Sequence, residues 1–209
     1  MNYFRNYISQ TDDRMIMKMD HYLDIYDKLL RDWQGRDVSF LDIDPACAAL
    51  QLDGTKVEIG DQTDTAFLKR IAETYGPFDM IVDDGGHKMD HQNVSFRELW
   101  PHLKDRGLYI VEDTHTSYWP GFGGGYKAPQ SFIEKCKNLA DYMHSWYTDQ
   151  DDIFPFHAAA RQVHSVQFYD SLVVIEKEHK QPPVSIASQN GTVTKSDKIL
   201  KVRNRTSIF

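Results

Sequence analysis

Two pairs of acids, Asp83-Asp84 and Glu112-Asp113, each follow directly on a short apolar run, Met80–Val82 and Leu108–Val111. The runs are too brief for helices and rich in β-branched residues, so both read as strands. Between them Val94, Leu99 and Leu103 keep helical spacing, and Lys104-Asp-Arg-Gly107 closes that segment. The pattern is strand, crossover helix and parallel strand, with acids at both carboxyl ends. Ligands of open α/β sheets bind just beyond those ends. Four carboxylates and His87 are therefore expected in one crevice.

Packed like charges are costly unless a cation or a proton joins them. Oxygen ligands alone suit a hard ion such as Mg²⁺ or Ca²⁺, with Mn²⁺ a further option. Taken singly, Asp84 could equally cap the next helix and Glu112 could form an ion pair. Taken together at two strand ends, they favour a metal. His87 stands in the turn that opens the helix, and an imidazole near a cation stays a free base at neutral pH. That makes it a better general base than His91 or His102, which lie further into the helix. His115 is held in reserve as a substrate contact. Tyr118 and Trp119 suit stacking on a flat ring or a sugar face, or else plug the sheet edge. Asp44 and Asp61 end two earlier strands, where an acid often accepts from a ribose hydroxyl, and Gln62 could read an adenine edge.

Other elements must position these groups. His21 to Trp33 has apolar residues at intervals of three and four, with Gly35 as its stop, and reads as an amphipathic helix. Val38 to Ile43 is the first expected strand, followed by Asp44-Pro45 and a short helical or looped piece to Leu50. Lys56 to Ile59 is a second strand, and Thr63 to Tyr75 a helix ended by Gly76-Pro77. Pro120 to Gly125 reads as a mobile glycine-rich loop at the mouth of the crevice. Ser131 to Tyr147 is a helix, and Val163–Phe168 with Leu172–Ile175 form an antiparallel hairpin. Residues 1–37 make a helical cap, 38–178 the main domain and 179–209 a flexible basic tail.

The chain has 209 residues, 41% hydrophobic and 12% aromatic, which suits one globular domain with an appendage. A net charge of −7 argues against nucleic acid as the main partner. From Lys180 onward the balance reverses, with six Lys or Arg against Asp197 alone. Cys47 and Cys136 form no metal or disulfide pattern and read as buried reduced thiols. No apolar stretch is long enough to span a membrane, and the N-terminus lacks a signal-peptide pattern, so a cytoplasmic protein is expected.

VDDGGH, then HQNVSFRELWPHLKDRGLY, then IVEDTHTSYWPGFGG resembles the metal-dependent sugar O-methyltransferases of macrolide tailoring, the mycinamicin and macrocin type. The resemblance covers about residues 18–178 and is detailed from Asp42 to Gly124. It implies an α/β fold, a doubly wound Rossmann-like and mostly parallel sheet with the C-terminal antiparallel hairpin. It implies S-adenosylmethionine (SAM) and Mg²⁺ as cofactors and a sugar or glycoside as substrate; a homo-oligomer is left open. Asp84 and Asp113 would bind Mg²⁺ with Glu112 as a further ligand, and His87 would be the base. Asp44 would hold the SAM ribose, Asp61 with Gln62 the adenine, and His115, Tyr118 and Trp119 the substrate. Lys18, His21 and Tyr22 resemble a segment that closes over the site. The chemistry agrees, because a sugar hydroxyl must lose its proton to accept a methyl group. A metal lowers the pKa of a bound oxygen, as zinc does for water, from ~15.7 to ~7.

One departure stands out. Such folds place a glycine-rich turn after the first strand, yet Gly54 and Gly60 are the only glycines between Val38 and Asp61. VSFLDIDP reads as the start of one strand joined to the end of the next, so a strand, its helix and the cofactor loop, about 25–30 residues, are missing and the sheet is one strand short. The alternative reading is a degenerate relative that keeps the metal cluster without SAM. A metal-dependent hydrolase using the same carboxylates is a third.

Overall fold

The computed structural model describes residues 3–10, 17–46 and 54–196. Cys47 and the expected short piece running to Leu50 lie outside them, as does the tail from residue 197. The chain divides into two compact units after Val38.

In the first unit, helix α1 spans Tyr3–Ser9 and helix α2 spans Asp20–Leu29, followed by a 3-10 turn at Arg31–Trp33. Arg5 pairs with Asp20 and Asp24, while Asp27 accepts from the Tyr3 N–H at 2.7 Å. Tyr22 and Tyr26 are its buried residues. The expected helix from His21 is therefore α2, and α1 had no clear signal.

The second unit is built on a five-stranded sheet. Its strands are β1 (Phe40–Ile43), β2 (Phe78–Asp83), β3 (Leu103–Val111), β4 (Val163–Tyr169) and β5 (Leu172–Lys177), in the order β1-β2-β3-β5-β4. β1, β2 and β3 run parallel, β5 pairs antiparallel to β3, and β4 pairs antiparallel to β5. The fold is α/β and Rossmann-like, closed by the antiparallel hairpin that the sequence implies. Helices α3 (Thr65–Tyr75), α4 (Met89–Leu99) and α5 (Phe132–Met143) supply Leu68, Ile71, Phe96, Leu99, Phe132 and Leu139 to one core with Ile81, Tyr109, Val111 and Val173. Residues alternating with these on the strands, Met80, Val82 and Ile110, are buried too. Burial on both faces explains why β2 and β3 read as continuous apolar runs. A short helix α6 (Ala159–Gln162) leads into β4.

The structure corrects two expectations and adds detail to two others. Lys56–Ile59 is not a strand: residues 55–60 pair with nothing in the sheet, and Ile59 is 80% exposed. Twelve residues separate Ile43 from Lys56, the bare minimum for the crossover that a parallel partner of β1 needs. Lys104–Gly107 does not close the helix. Pro101 ends α4 at Leu99, and those residues open β3 with a bulge at Arg106 (φ +65°). A Cβ at Gly107 would stand 2.9 Å from the Asp79 carbonyl, so only glycine fits there. The glycine loop after Trp119 is closed on itself, with Gly124 N–H donating to Trp119 O at 3.1 Å and Gly125 N–H to Ser117 O at 2.8 Å. The expected flexible tail holds a separate hairpin, β6 (Ser185–Gln189) and β7 (Thr192–Ser196), turning at Asn190-Gly191. Both turn residues have positive φ, as a two-residue hairpin turn requires.

Two polar contacts hold the sheet end opposite the acids. Lys177 Nζ donates to the carbonyls of Trp100 and Leu103, both at 2.7 Å, and so satisfies acceptors where α4 stops. Asp79 accepts from Ser39 N–H at 2.8 Å and from Lys104 at 2.7 Å, joining the starts of β1, β2 and β3.

Candidate metal centre

The parallel register sets Ile43, Asp83 and Val111 side by side. The ladder runs one residue further, with Asp84 N–H donating to Ile43 O at 2.9 Å and Glu112 N–H to Asp83 O at 3.0 Å. The two acid pairs are thus brought to one end of the sheet. Their side chains then part.

Asp83 is 1% exposed. Its Oδ1 accepts from Gln62 Nε2 at 2.7 Å and, at 3.4 Å, from Gly85 N–H. Burial pushes its carboxyl up to about 6, against the pull of those two donors. Glu112 is 2% exposed. Asp84 and Asp113 instead keep partial exposure, and with His87 they form a trio whose ligand atoms all lie within 4.8 Å of one another. His87 Nε2 is 3.9 Å from Asp84 Oδ1 and 3.7 Å from Asp113 Oδ2. Glu112, expected as a further ligand, does not join that trio.

The backbone works to make this arrangement. His87 (φ +53°) and Asp113 (φ +51°) both occupy the left-handed region, which is uncommon for side chains other than glycine and is entered most readily by asparagine, aspartate and histidine. The Thr116 hydroxyl lies 2.8 Å from the His87 carbonyl and 2.9 Å from the Asp113 carbonyl, joining the two turns. Gly85 and Gly86 fill the remaining space requirement. A Cβ at Gly85 would fall 2.3 Å from Gln62 Oε1, and one at Gly86 would fall 2.1 Å from His91 Nδ1.

Asp44 accepts from Ala46 N–H at 2.7 Å, and Asp61 Oδ1 accepts from Thr63 N–H at 2.7 Å. Among the described residues these bonds, with that of the Thr63 hydroxyl to Asp61 Oδ1, use one oxygen of each carboxylate. Gln62 is different, because its carboxamide bonds within the chain to Asp83 and to Gly86 N–H, the latter at 2.9 Å. Among the expected substrate residues, the His115 ring meets Trp119 edge-on at 4.7 Å, and Trp119 meets Phe122 at 5.5 Å. His115 Nδ1 bonds to the Ser171 hydroxyl. Tyr118 and Trp119 are both exposed. Thr116 and the Asp83–Gln62 contact were not foreseen; no local spacing marks them.

Two carboxylates and an imidazole, partly open to solvent at a strand-end crevice, form a donor set that fits a divalent cation. No helix among the described residues is long and apolar enough to cross a membrane. No family model matches the chain. It is 45% identical over 95 residues, 44% of its length, to the L-olivosyl-oleandolide 3-O-methyltransferase of Streptomyces antibioticus. Over 122 residues, 57% of its length, it is 38% identical to the demethylmacrocin O-methyltransferase of Streptomyces fradiae.

The homologues of this chain are sugar O-methyltransferases. Among solved structures it is similar to the MycE methyltransferase of the mycinamycin pathway in complex with Mg and SAH, at 27% identity and a TM-score of 0.68 over 78% of the chain. MycE is also known in complex with Mg, SAH and mycinamycin VI. The matches span 24% and 31% of the two curated methyltransferases and 50% of the MycE chain.

Proposed function

We propose that this chain carries the metal-binding, hydroxyl-activating part of a SAM- and Mg²⁺-dependent O-methyltransferase. Its acceptor is a hydroxyl of a sugar or glycosylated natural product, and its place is the cytoplasm. The observation that carries this reading is the convergence of Asp84, His87 and Asp113 at the carboxyl ends of β2 and β3. The sugar O-methyltransferase homologues add weight to it.

In this reading Asp84 and Asp113 hold the divalent ion and Asp44 with Asp61 hold SAM. The bound ion supplies Lewis acidity toward the acceptor hydroxyl, and SAM supplies the methyl group. His87 accepts the hydroxyl proton at Nε2, the ring nitrogen that faces both carboxylates. Thr116 keeps His87 and Asp113 in their left-handed conformations, so neither must reorganise to act. The edge-on His115–Trp119–Phe122 series offers an apolar wall for a sugar face.

A second reading has its own support. No glycine lies between Val38 and Asp53, and Gln62 is engaged with Asp83 and Gly86. Both features suit a binding module that keeps the cation and has lost SAM. Isothermal titration with SAM, with and without Mg²⁺, separates the two. Saturable binding and Mg²⁺-dependent transfer of labelled methyl to a glycosylated macrolide support the first. Absence of SAM binding in both conditions leaves the second.

A further inference from the structure

We propose that Gln62 is a positioning residue: its carboxamide clamps Asp83 and Gly86 and so sets the turn that carries Asp84 and His87. This deepens the metal-site reading and rests on it only for the functional consequence.

Gln62 belongs to the segment before α3, far from the acids in sequence, and it has no strand to hold it. Residues 55–60 are unpaired with the sheet. Its side chain nevertheless reaches the end of β2. Nε2 donates to Asp83 Oδ1 at 2.7 Å, and Oε1 accepts from Gly86 N–H at 2.9 Å. These partners also fix which way the amide points, because a carboxylate accepts and an N–H donates. Oε1 lies 2.3 Å from where a Cβ on Gly85 would stand, so the amide passes directly over that residue. The clamp therefore closes around Asp84 from both sides, and His87 is the next residue after its far end.

Removing it has a defined consequence. An apolar side chain of similar size would leave the buried Asp83 oxygen with only the 3.4 Å bond from Gly85 N–H and would release the exposed Gly86 N–H to water. The turn would relax, and Asp84 and His87 would lose their alignment with Asp113. Groups that orient metal ligands from behind change affinity by about 10–100-fold when removed.

The test compares wild type with Gln62→Leu, and with Asp64→Ala as a stability control. Asp64 caps α3 by accepting from Ala66 N–H and Phe67 N–H, and it touches none of the clamp's partners. Two readouts are taken on the full chain: amide hydrogen exchange at Gly86, and Mn²⁺ affinity by electron paramagnetic resonance. The clamp predicts faster Gly86 exchange and at least about tenfold weaker Mn²⁺ binding in Gln62→Leu. Asp64→Ala lowers the melting temperature yet leaves both readouts at wild-type values. Wild-type Gly86 protection in Gln62→Leu overturns the clamp. Faster exchange with unchanged Mn²⁺ affinity overturns its functional role. Failure of the wild type itself to bind Mn²⁺ refutes the metal-site reading, while the exchange measurement still decides the clamp.

Discussion

Nε2 of His87 lies 3.7 Å from Oδ2 of Asp113, although one residue opens α4 and the other follows β3. The contact exists because both residues take up left-handed backbone conformations and share the Thr116 hydroxyl. A base next to a cation-binding carboxylate is the arrangement that hydroxyl activation needs. The same contact separates two roles for His87.

If His87 is the proton acceptor, His87→Gln lowers methyl transfer by about 10²–10⁴-fold. SAM and Mn²⁺ binding then stay close to wild type. Steady-state turnover and Mn²⁺ titration on the same variant check this. Loss of Mn²⁺ binding would make His87 a ligand instead.

Thr116→Val removes the hydroxyl that joins the two turns while keeping the side-chain shape. The variant should lose about 1–2 kcal/mol of stability, as for a buried hydrogen bond with unsatisfied partners. Urea denaturation measures this. A midpoint equal to wild type would show that the turns hold without it.

Asp79 contributes to stability in acid. Burial opposes its charge, but the Lys104 ammonium and the Ser39 N–H outweigh burial and hold its carboxyl below the ordinary 3.8. A folded pKa below the unfolded value gives stability that is present above 3.8 and lost as the pH falls through the folded value. Asp79→Asn should therefore be less stable by about 1.5–3 kcal/mol at pH 7. The gap from wild type should narrow steadily below pH 4. Melting curves from pH 2.5 to 7 test this, and a constant gap would contradict it.

Cys136 is fully buried in the core, and burial pushes its thiol up. It should resist iodoacetamide at pH 8 in the native protein and react once urea unfolds the chain. Peptide mass spectrometry reads the difference. Native labelling as fast as in urea would place the thiol elsewhere.

The strand-end acids were legible because their signal is local: two apolar runs, each ended by carboxylates, with helical spacing between. The sheet's parallel core and its antiparallel hairpin followed from the same kind of pattern. Lys56–Ile59 carries the β-branched residues of a strand, but such residues state a preference, whereas a strand also needs a neighbour with which to pair. The roles of Gln62 and Asp83 were hidden for a related reason. A glutamine beside an aspartate has no marked partner until the fold brings another segment against it. Glu112 and Asp113 look equivalent in sequence, and only the turn at Asp113 shows that one is buried while the other meets His87. The Asn190-Gly191 hairpin turn was visible in principle, but its polar flanks resembled a flexible tail.

In the proposed site Asp84 and Asp113 grip one divalent ion together. Titration of the full chain with Mn²⁺, followed by electron paramagnetic resonance, tests it most directly. One site per chain in wild type, lost in both Asp84→Asn and Asp113→Asn, is the result expected. Wild-type affinity in either variant would contradict it.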